Sequence, residues 1–323
     1  MFSLIIPVYK NEENIADLLP ALEALGPQLD QPLEVVFVVD GSPDRSLAML
    51  RERAPACRFA CQVIAHSRNF GSFAAIRTGL SLARGDHFAA MAADLQEPPE
   101  LVVEFFRRLA SGEADVTLGV RVSRDDPFFS SLSAQLFWAL YRRLVNPDIP
   151  PGGVDVFGCN RAVRDQLLTL PEVNSSLVGL LFWVGFRRVE IPYSRRPRTA
   201  GKSAWTLGRK LRYLSDSVYS FTDLPVRLLT SLGGAAMVLS CLGALVVLMA
   251  RLQGRIPVAG YTVIVIVTVF FGGLNSLGLG VIGSYVWRAF ENTKRRPGAI
   301  VMASHDWPGP VASPGAQTSD EAR

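Results

Sequence analysis

The chain has 323 residues, of which 49% are hydrophobic and 19% are charged, and its mean hydropathy is +0.24. This composition excludes an ordinary soluble domain with a fully solvated surface and predicts that part of the chain lies in lipid. The net charge of +4 and the pI near 9.0 suit an anionic membrane surface or phosphate-bearing ligands. Nucleic acid is not indicated as a partner, because the sequence has no dense basic stripe interleaved with aromatics and no zinc-finger spacing.

The opening segment and the cysteines bear on the compartment. Met1–Tyr9 is apolar but lacks a basic leader and a small-residue cleavage site, so we interpret it as a first strand and not as a signal peptide. The cysteines are scattered, and the spacing of Cys57 and Cys61 fits neither a redox nor a zinc motif, which favours reduced, buried thiols. We therefore expect the N-terminal domain, residues 1–205, to lie on the cytoplasmic side of a membrane.

This domain alternates short apolar strands with amphipathic helices. Strands predicted at Phe2–Val8 and Leu33–Val39 flank a segment with apolar residues at helical spacing that ends before Gly26. The further predicted elements are a strand at Cys61–Ala65, a helix at Ser72–Arg84, a strand at His87–Ala93 and a helix after Pro99. Repeated strand–helix–strand units predict an α/β domain with a mostly parallel sheet that is covered on both faces.

Polar clusters follow each of these four strands. They are Tyr9–Glu13, Asp40–Asp44, Ser67–Gly71 and Asp94–Glu97. Because ligands of such sheets bind beyond the carboxyl ends of the strands, we expect these clusters to line one crevice.

The cluster after the fourth strand offers hard oxygen ligands. Asp94, Gln96 and Glu97 precede two prolines that stop the strand and open the next helix. Such oxygens can hold Mg²⁺ or Mn²⁺ against a diphosphate. An acidic turn standing alone is usually a helix cap or a solvated loop, so the metal site depends on the other clusters.

Three other clusters suit a nucleotide. Asp40 can accept hydrogen bonds from a nucleobase or a ribose, although the same segment also fits an ordinary turn and N-cap. Arg68–Gly71 precede a predicted helix, where free backbone N–H groups can bind a phosphate. A basic loop after a predicted strand suits either phosphates or anionic lipid, and it contains Arg195, Arg198, Gly201, Lys202 and Ser203.

The last third of the chain predicts membrane attachment. Residues 206–226 form an amphipathic helix that either packs on the domain or lies at the membrane surface. Leu228–Ala250 is uncharged and would reach about 35 Å as a helix, enough for a hydrocarbon core of about 30 Å. Ile256–Trp287 is also uncharged and has aromatic residues near both ends. We predict a two-helix transmembrane hairpin at 227–288 and a cytoplasmic tail at 289–323 that is disordered from about Ser304.

Five segments in this order resemble glycosyltransferase family 2, in particular its dolichol-phosphate mannose synthase and bacterial polyprenyl-phosphate glycosyltransferase branch. They are IPVYKNEENI from Ile6, VVDGSPDRS from Val38, SRNFGSFAAIRTGL from Ser67, ADLQEPPEL from Ala93 and RRPRTAGKSAW from Arg195. SYVWRAFENTKRRP from Ser284 is similar to the segment after the second span in two-span members. The resemblance covers nearly the whole chain and implies a GT-A type, Rossmann-like nucleotide-sugar-binding domain with a membrane hairpin.

The resemblance also implies roles for individual residues. The nucleoside would be held by Pro7, Tyr9, Glu12 and Asp40, and the metal by Asp94 and Gln96. The donor and acceptor phosphates would be bound by Arg121, Arg195, Arg198 and Lys202, with Arg68 and Ser203 as further donor-binding residues. Asp155 would orient the sugar or the acceptor, so that Asp94, Asp155 and Arg198 form the catalytic set. The chain departs from the family pattern at Val39 and Ala92, which replace commonly acidic residues, and at Ala204, which replaces a common lysine.

The predicted function is inverting transfer of a sugar from a UDP- or GDP-linked donor to a polyprenyl phosphate, such as undecaprenyl phosphate, in the cytoplasmic membrane. UDP-glucose, GDP-mannose and a UDP-linked amino-arabinose derivative all remain open as donors. Val39 and Ala92 motivate one alternative, a catalytically silent nucleotide-sugar-binding scaffold. A processive polysaccharide synthase is disfavoured by the small number of predicted spans. Glycines of the second span permit either a homo-oligomer or packing within the hairpin itself.

Overall fold

The computed structural model describes residues 1–123, 138–139, 141–143, 145–150, 153–170, 176–196, 207–253 and 260–309. The strands are β1 (Phe2–Val8), β2 (Leu33–Val39), β3 (Ala60–His66), β4 (His87–Ala90), β5 (Val116–Ser123), β6 (Val156–Asn160), β7 (Arg188–Ser194) and β8 (Val301–Trp307). The helices of the domain are α1 (Glu12–Glu23), α2 (Ser46–Arg53), α3 (Ser72–Leu82), α4 (Glu100–Ala110), α5 (Arg161–Thr169) and α6 (Leu177–Trp183). They are followed by α7 (Leu207–Phe221), α8 (Leu224–Leu252) and α9 (Tyr261–Thr293).

The strands form one sheet in the order β7-β5-β6-β4-β1-β2-β3-β8. β1 pairs in parallel with β2 and β4, and β2 pairs in parallel with β3, as predicted. The remainder is mixed, because β6 runs antiparallel between β4 and β5 while β8 runs antiparallel to β3. The α/β class is confirmed, and the parallel arrangement holds for the first four strands.

Strands β1 and β2 lie near the centre of the sheet, and their side chains, which are mostly apolar, are buried on both faces. Alternate residues of β1 join different cores: Leu4 and Ile6 pack in the cluster that includes the buried face of α1, and Ile5 packs in the cluster that includes α3. Helices therefore cover both faces, as predicted. β4 ends at Ala90 and not at the predicted Ala93, although the amide of Met91 still donates to the carbonyl of Ile5 (3.1 Å).

Helix α7 packs on the α/β domain. The ring of Tyr213 stacks on Tyr141 with 5.6 Å between the ring centroids, and its hydroxyl lies 2.8 Å from Ser176 Oγ. Of the two placements predicted for this amphipathic helix, the structure supports packing on the domain. The end of α9 returns to the same place, since Arg288 donates to Asp216 of α7 (2.8 Å).

Helices α8 and α9 are 29 and 33 residues long and expose large apolar side chains such as Leu239 and Leu279. Of the helices in the described ranges, none combines the length and the apolar character that crossing a bilayer requires. The predicted transmembrane hairpin is therefore not confirmed. Gly278 of the predicted glycine stripe lies against Leu229 of α8, which favours packing within the hairpin at this position.

The segment after α9 returns to the sheet as β8. Ile64 pairs with Ser304 in this antiparallel ladder, and the amide of Ser67 donates to the carbonyl of Ile300 (3.0 Å). The prediction of a disordered tail from about Ser304 is wrong for residues 304–307, because backbone pairing with β3 orders them.

Candidate active site

The loops after β1 and β2 are joined by hydrogen bonds. The amide of Lys10 donates to Ser42 Oγ (2.8 Å), and the amide of Glu12 donates to Asp44 Oδ2 (3.1 Å). The Glu12 carboxylate in turn accepts from the amide of Arg45 (2.8 Å). Burial alone would raise the pKa of Asp44, but the hydrogen bonds that it accepts, first from Ser42, hold that pKa below its ordinary value. Glu12, predicted to contact a nucleoside, thus holds the second loop against the first.

Pro7 and Tyr9, two other predicted nucleoside contacts, lie at the end of β1. Pro7 pairs with Val38 of β2 in the parallel ladder. Tyr9 exposes 38% of its surface, and the ammonium of Lys10 lies 5.6 Å from the centre of its ring. An exposed aromatic ring beyond a strand end is suited to stack on a nucleobase. The nucleoside contacts of both residues stay predictions.

The carboxylate of Asp40, only 2% exposed, binds the loop after β3. Its Oδ1 accepts from the amide of Phe70 (2.8 Å), and its Oδ2 accepts from the amide of Gly71 (2.7 Å). The sequence predicts free N–H groups for a phosphate at Arg68–Gly71. At Phe70 and Gly71 that prediction is wrong, because the Asp40 carboxylate already takes the anion position at the start of α3. A hydrogen bond from a nucleoside to Asp40 stays a prediction.

Arg68 lies on the exposed side of the same loop. Its guanidinium carbon is 3.9 Å from the centre of the Phe70 ring, and its Nη1 donates to the carbonyl of Asn69 (3.1 Å). The cation–π contact holds a positive charge beyond the end of β3, where the charge can meet a donor phosphate.

The loop after β4 contacts the residues that follow β7. The amide of Arg196 donates to the carbonyl of Gln96 (2.8 Å), and the guanidinium of Arg195 donates to Gln96 Oε1 (2.7 Å). Asp94 lies two residues before Gln96, at a turn where Leu95 adopts a φ of 53°. The acidic loop therefore lies beside Arg195 and Arg196, the described start of the basic loop.

Glu97, which the sequence groups with Asp94 and Gln96 as a source of hard oxygen ligands, is a buried residue of this contact. It is 2% exposed, its Oε1 lies 3.7 Å from Arg195 Nη2, and within the described residues its Oε2 has no hydrogen-bond partner. Burial, followed by the nearby Asp94 carboxylate, raises the pKa of Glu97 to about 7. Glu97 therefore gains or loses its proton near neutral pH, beside a predicted phosphate ligand.

A second polar group is built from three adjacent strands. Arg121 of β5 forms an ion pair with Asp155, which directly precedes β6, and the hydroxyl of Tyr193 on β7 donates to Asp155 Oδ2 (3.0 Å). Burial, followed by the Asp155 carboxylate, raises the pKa of Tyr193, so the phenol keeps its proton. β5 lies between β6 and β7, which brings the predicted residues Arg121 and Asp155 together. Tyr193 was missed, although the two-residue period of a strand places it on the same face as Arg195.

Three predicted site residues, Arg198, Lys202 and Ser203, lie outside the described residues. Their contacts with phosphates stay predictions.

Comparison with known proteins assigns the chain to a family. The model of Glycosyl transferase family 2 matches residues 3–169, which include Asp40, Asp94, Arg121 and Asp155. The chain belongs to glycosyltransferase family 2. It is therefore a glycosyltransferase.

Several proteins resemble this glycosyltransferase over nearly their whole length. The uncharacterized glycosyltransferase YkcC of Bacillus subtilis is 32% identical over 305 residues, which are 94% of this chain and 94% of that protein. The SfII prophage-derived bactoprenol glucosyl transferase of Shigella flexneri is 31% identical over 306 residues, 94% of this chain and 98% of that protein. The undecaprenyl-phosphate 4-deoxy-4-formamido-L-arabinose transferase of Pseudomonas aeruginosa is 32% identical over 301 residues, 92% of this chain and 88% of that protein.

A solved structure shares the fold of this glycosyltransferase. It is glucosyl-3-phosphoglycerate synthase from Mycobacterium tuberculosis in complex with Mn²⁺, uridine diphosphate and phosphoglyceric acid. The TM-score is 0.50 at 19% identity, over 69% of this chain and 80% of that chain. At this identity the likeness concerns the GT-A-like fold alone.

The two predicted metal ligands of this glycosyltransferase fit a divalent cation unequally. Across the part of the chain that the structure describes, no three His, Cys, Asp or Glu side chains converge as a metal site. Mg²⁺ is usually bound by one or two carboxylates together with substrate phosphates, a pattern that Asp94 fits. Gln96 fits poorly, because its Oε1 accepts from Arg195 (2.7 Å) and a cation on that oxygen would be repelled by the guanidinium. Asp94 as a cation ligand therefore stays a prediction, and the Arg195 contact counts against Gln96.

Proposed function

We propose that this glycosyltransferase transfers a sugar from a nucleotide-sugar donor to a polyprenyl phosphate, with inversion at the anomeric carbon. The observation that carries the proposal is the contact of the Asp94 loop with the start of the basic segment, through Gln96 and Arg195 (2.7 Å). A carboxylate suited to a diphosphate-bound cation thereby lies beside a guanidinium suited to a phosphate. The names of the relatives, bactoprenol glucosyl transferase and undecaprenyl-phosphate 4-deoxy-4-formamido-L-arabinose transferase, support the lipid phosphate as acceptor.

The reaction requires two anions, the donor diphosphate and the lipid phosphate, to approach each other. Their repulsion must be offset by fixed positive charge, which Arg195 supplies beside the acidic loop. A Mg²⁺ or Mn²⁺ ion held by Asp94 would stabilise the negative charge of the leaving diphosphate. No strong protein base is needed, because the second pKa of a phosphate monoester is about 6 and the nucleophile is already ionised.

Asp155 is the residue best placed to orient the sugar or the acceptor. Arg121 and Tyr193 hold its carboxylate in one orientation, while 32% of the side chain stays exposed. The carboxylate can then accept a further hydrogen bond from a hydroxyl group of the substrate, whose position is thereby restricted.

We further propose that α8 and α9 insert into the cytoplasmic membrane and hold the catalytic domain at its cytoplasmic face. Large apolar side chains are exposed along both helices, and residues 228–250 carry no charge. Such side chains are stable in contact with lipid and unfavourable in water. A polyprenyl acceptor is itself a bilayer component, so insertion would bring its phosphate within reach of the domain.

A donor panel tests the transfer. The purified full-length protein is incubated with a short-chain polyprenyl phosphate, Mg²⁺ or Mn²⁺, and UDP-glucose, GDP-mannose or a UDP-linked amino-arabinose derivative. We expect one donor to yield a glycosyl lipid together with its nucleoside diphosphate. Nucleotide-sugar binding with no turnover of any donor would contradict the proposal and support the silent scaffold.

Asp94→Asn tests the role of the acidic loop. The amide keeps the size of the side chain but removes the charge that holds a cation, so we expect transfer to fall at least about 100-fold. Asp17→Asn on the exposed face of α1 is the matched control and should keep wild-type transfer. The assignment of Asp94 is wrong if its variant retains wild-type turnover at every Mg²⁺ and Mn²⁺ concentration.

A further inference from the structure

A buried histidine joins the donor side of the site to the helix behind it. The side chain of His66, at the end of β3, is 0% exposed. Its Nδ1 lies 2.8 Å from Asp40 Oδ1, and its Nε2 lies 3.0 Å from Thr78 Oγ1 of α3. A carboxylate accepts hydrogen bonds, so Nδ1 donates to Asp40, and the threonine hydroxyl, which can donate or accept, bonds to Nε2. Both ring nitrogens are therefore satisfied, and their partners lie on two different elements.

Through Asp40, the histidine holds the loop of residues 67–71. The Asp40 oxygens accept from the amides of Phe70 (2.8 Å) and Gly71 (2.7 Å), and the Asp40 carbonyl accepts from Asn69 Nδ2 (3.3 Å). A rotation of the carboxylate would break both amide hydrogen bonds at once. Because the His66 hydrogen bond opposes that rotation, it stabilises the backbone of the whole loop.

The same ring also supports Arg68. The Phe70 ring meets the His66 ring edge-on, with 5.6 Å between centroids, and the Arg68 guanidinium lies 3.9 Å above the Phe70 ring. The position of the exposed charge therefore depends on a side chain that has no contact with solvent.

We propose that His66 is a positioning residue for donor binding, which orients the Asp40 carboxylate and places Arg68 and the loop of residues 67–71 against the nucleotide. This inference rests on the proposed function, since it assigns the loop to the donor. His66 does not touch the reacting atoms, so its effect is on the binding of the donor and not on the chemical step.

His66→Leu fills the cavity and removes both hydrogen bonds. We expect the KM for the nucleotide sugar to rise about tenfold, the effect of one lost hydrogen bond to a charged group. The kcat should stay nearly unchanged, because the donor contacts are present in the ground state and in the transition state alike. His66→Asn, whose amide can donate from near the Nδ1 position, should restore most of the affinity. His305→Leu on β8 is the matched control and should leave KM unchanged.

A direct measurement of the loop separates this inference from the proposed function. In the ligand-free protein, the amides of Phe70 and Gly71 should exchange with solvent faster in His66→Leu than in the wild type, whichever donor is used. Absence of glycosyl lipid from the wild type would refute the proposed function, while calorimetric titration with UDP or GDP would still measure the effect of His66.

The positioning role is refuted if His66→Leu unfolds at the wild-type temperature and keeps the wild-type KM. If that variant does not fold, Thr78→Val decides. Thr78→Val removes only the hydrogen-bond partner of Nε2, so the expected rise in KM is smaller than the rise expected for His66→Leu. If both KM and the exchange of the Phe70 and Gly71 amides are unchanged in Thr78→Val, the role is refuted.

Discussion

Gly41 is the residue on which the close approach of the loops after β2 and β3 depends. Its φ is 57°, and an added Cβ would lie 2.2 Å from the carbonyl carbon of Arg68 and 2.4 Å from the amide nitrogen of Asn69. Both are backbone atoms of a loop that Asp40 binds, so no flexible side chain can move aside. A side chain at Gly41 would therefore separate the two loops.

Gly41→Ala should lower the free energy of unfolding by about 2–5 kcal/mol, the sum of left-handed backbone strain and overpacking. Thermal unfolding of the purified protein measures the loss. Gly112→Ala is the matched control, because Gly112 has a φ of 72° but has no atom within 4 Å of the added Cβ. That control should lose only about 1–2 kcal/mol, and equal losses in the two variants would contradict the steric argument.

Glu97 should make stability depend on pH in an unusual direction. Its pKa in the folded protein is about 7, above its ordinary value of 4.5, so the folded state retains a proton that the unfolded state releases between these values. Stability from this group is fully present below about pH 4.5 and is lost as the pH rises to about 7, by at most about 3 kcal/mol.

Glu97→Gln should therefore match the wild type near pH 5 and be the more stable protein at pH 8. The comparison is made by thermal unfolding in a chelating buffer, so that bound cations do not contribute. If the melting temperatures of the wild type and of Glu97→Gln differ by the same amount at every pH from 5 to 8, Glu97 ionises with an ordinary pKa.

At the level of the elements, β8 closes one edge of the sheet. Trp307 pairs with Cys61 and packs against the core cluster that includes the buried face of α1, and Asp306 forms an ion pair with Arg84 at the surface. An uncovered β3 would present a row of unpaired backbone groups, which promotes association with other chains.

Ending the chain at residue 296 should remove β8 and lower the melting temperature by about 5 °C, equivalent to about 2 kcal/mol. The shortened protein should also aggregate sooner on heating, as light scattering would record. Ending the chain at residue 309 retains β8 and is the control. Equal melting temperatures for the two proteins would mean that β8 contributes nothing to the stability of the sheet.

The elements also show which parts of the fold can be predicted from sequence. The bounds of β1 and β2 follow from continuous apolar runs, because both strands are buried on both faces. β8 could not be found in this way, since its order comes from pairing with a strand more than two hundred residues away. The same limit applies to Asp40. Its local sequence predicts a turn, but it gives no indication that the carboxylate accepts from the amides of Phe70 and Gly71.

At the level of the whole molecule, helices α8 and α9 lie in the sequence between β7 and β8, which are the two edge strands of the sheet. The chain leaves the sheet after β7 at one edge, passes through α7, α8 and α9, and returns as β8 at the opposite edge. Two hydrogen bonds fix the chain where it returns to the domain. Arg288 of α9 donates to Asp216 of α7 (2.8 Å), and the carbonyl of Ile300 accepts from the amide of Ser67 (3.0 Å). Attachment of α8 and α9 to a membrane would thereby limit the orientations of the catalytic domain.

Insertion of the hairpin and adhesion to the membrane surface predict different responses to salt. Surface adhesion through Arg295 and Arg296 would be screened at about 1 M salt, where the Debye length is about 3 Å, whereas apolar contact with lipid would not be weakened. We expect the protein to stay with the membrane fraction in high salt and in alkaline carbonate, and to be extracted by detergent.

Substitutions on the exposed faces of α8 and α9 test the same point within the chain. Leu239 and Leu279 are 69% and 70% exposed, and a charged residue at the centre of a span costs about 3 kcal/mol. Replacing both leucines by arginine should therefore move the protein into the soluble or aggregated fraction. Leu82→Arg, at the exposed end of α3, is the control and should remain membrane-bound. Release of the wild type by high salt alone would refute insertion, because only a surface-bound protein depends on unscreened charge.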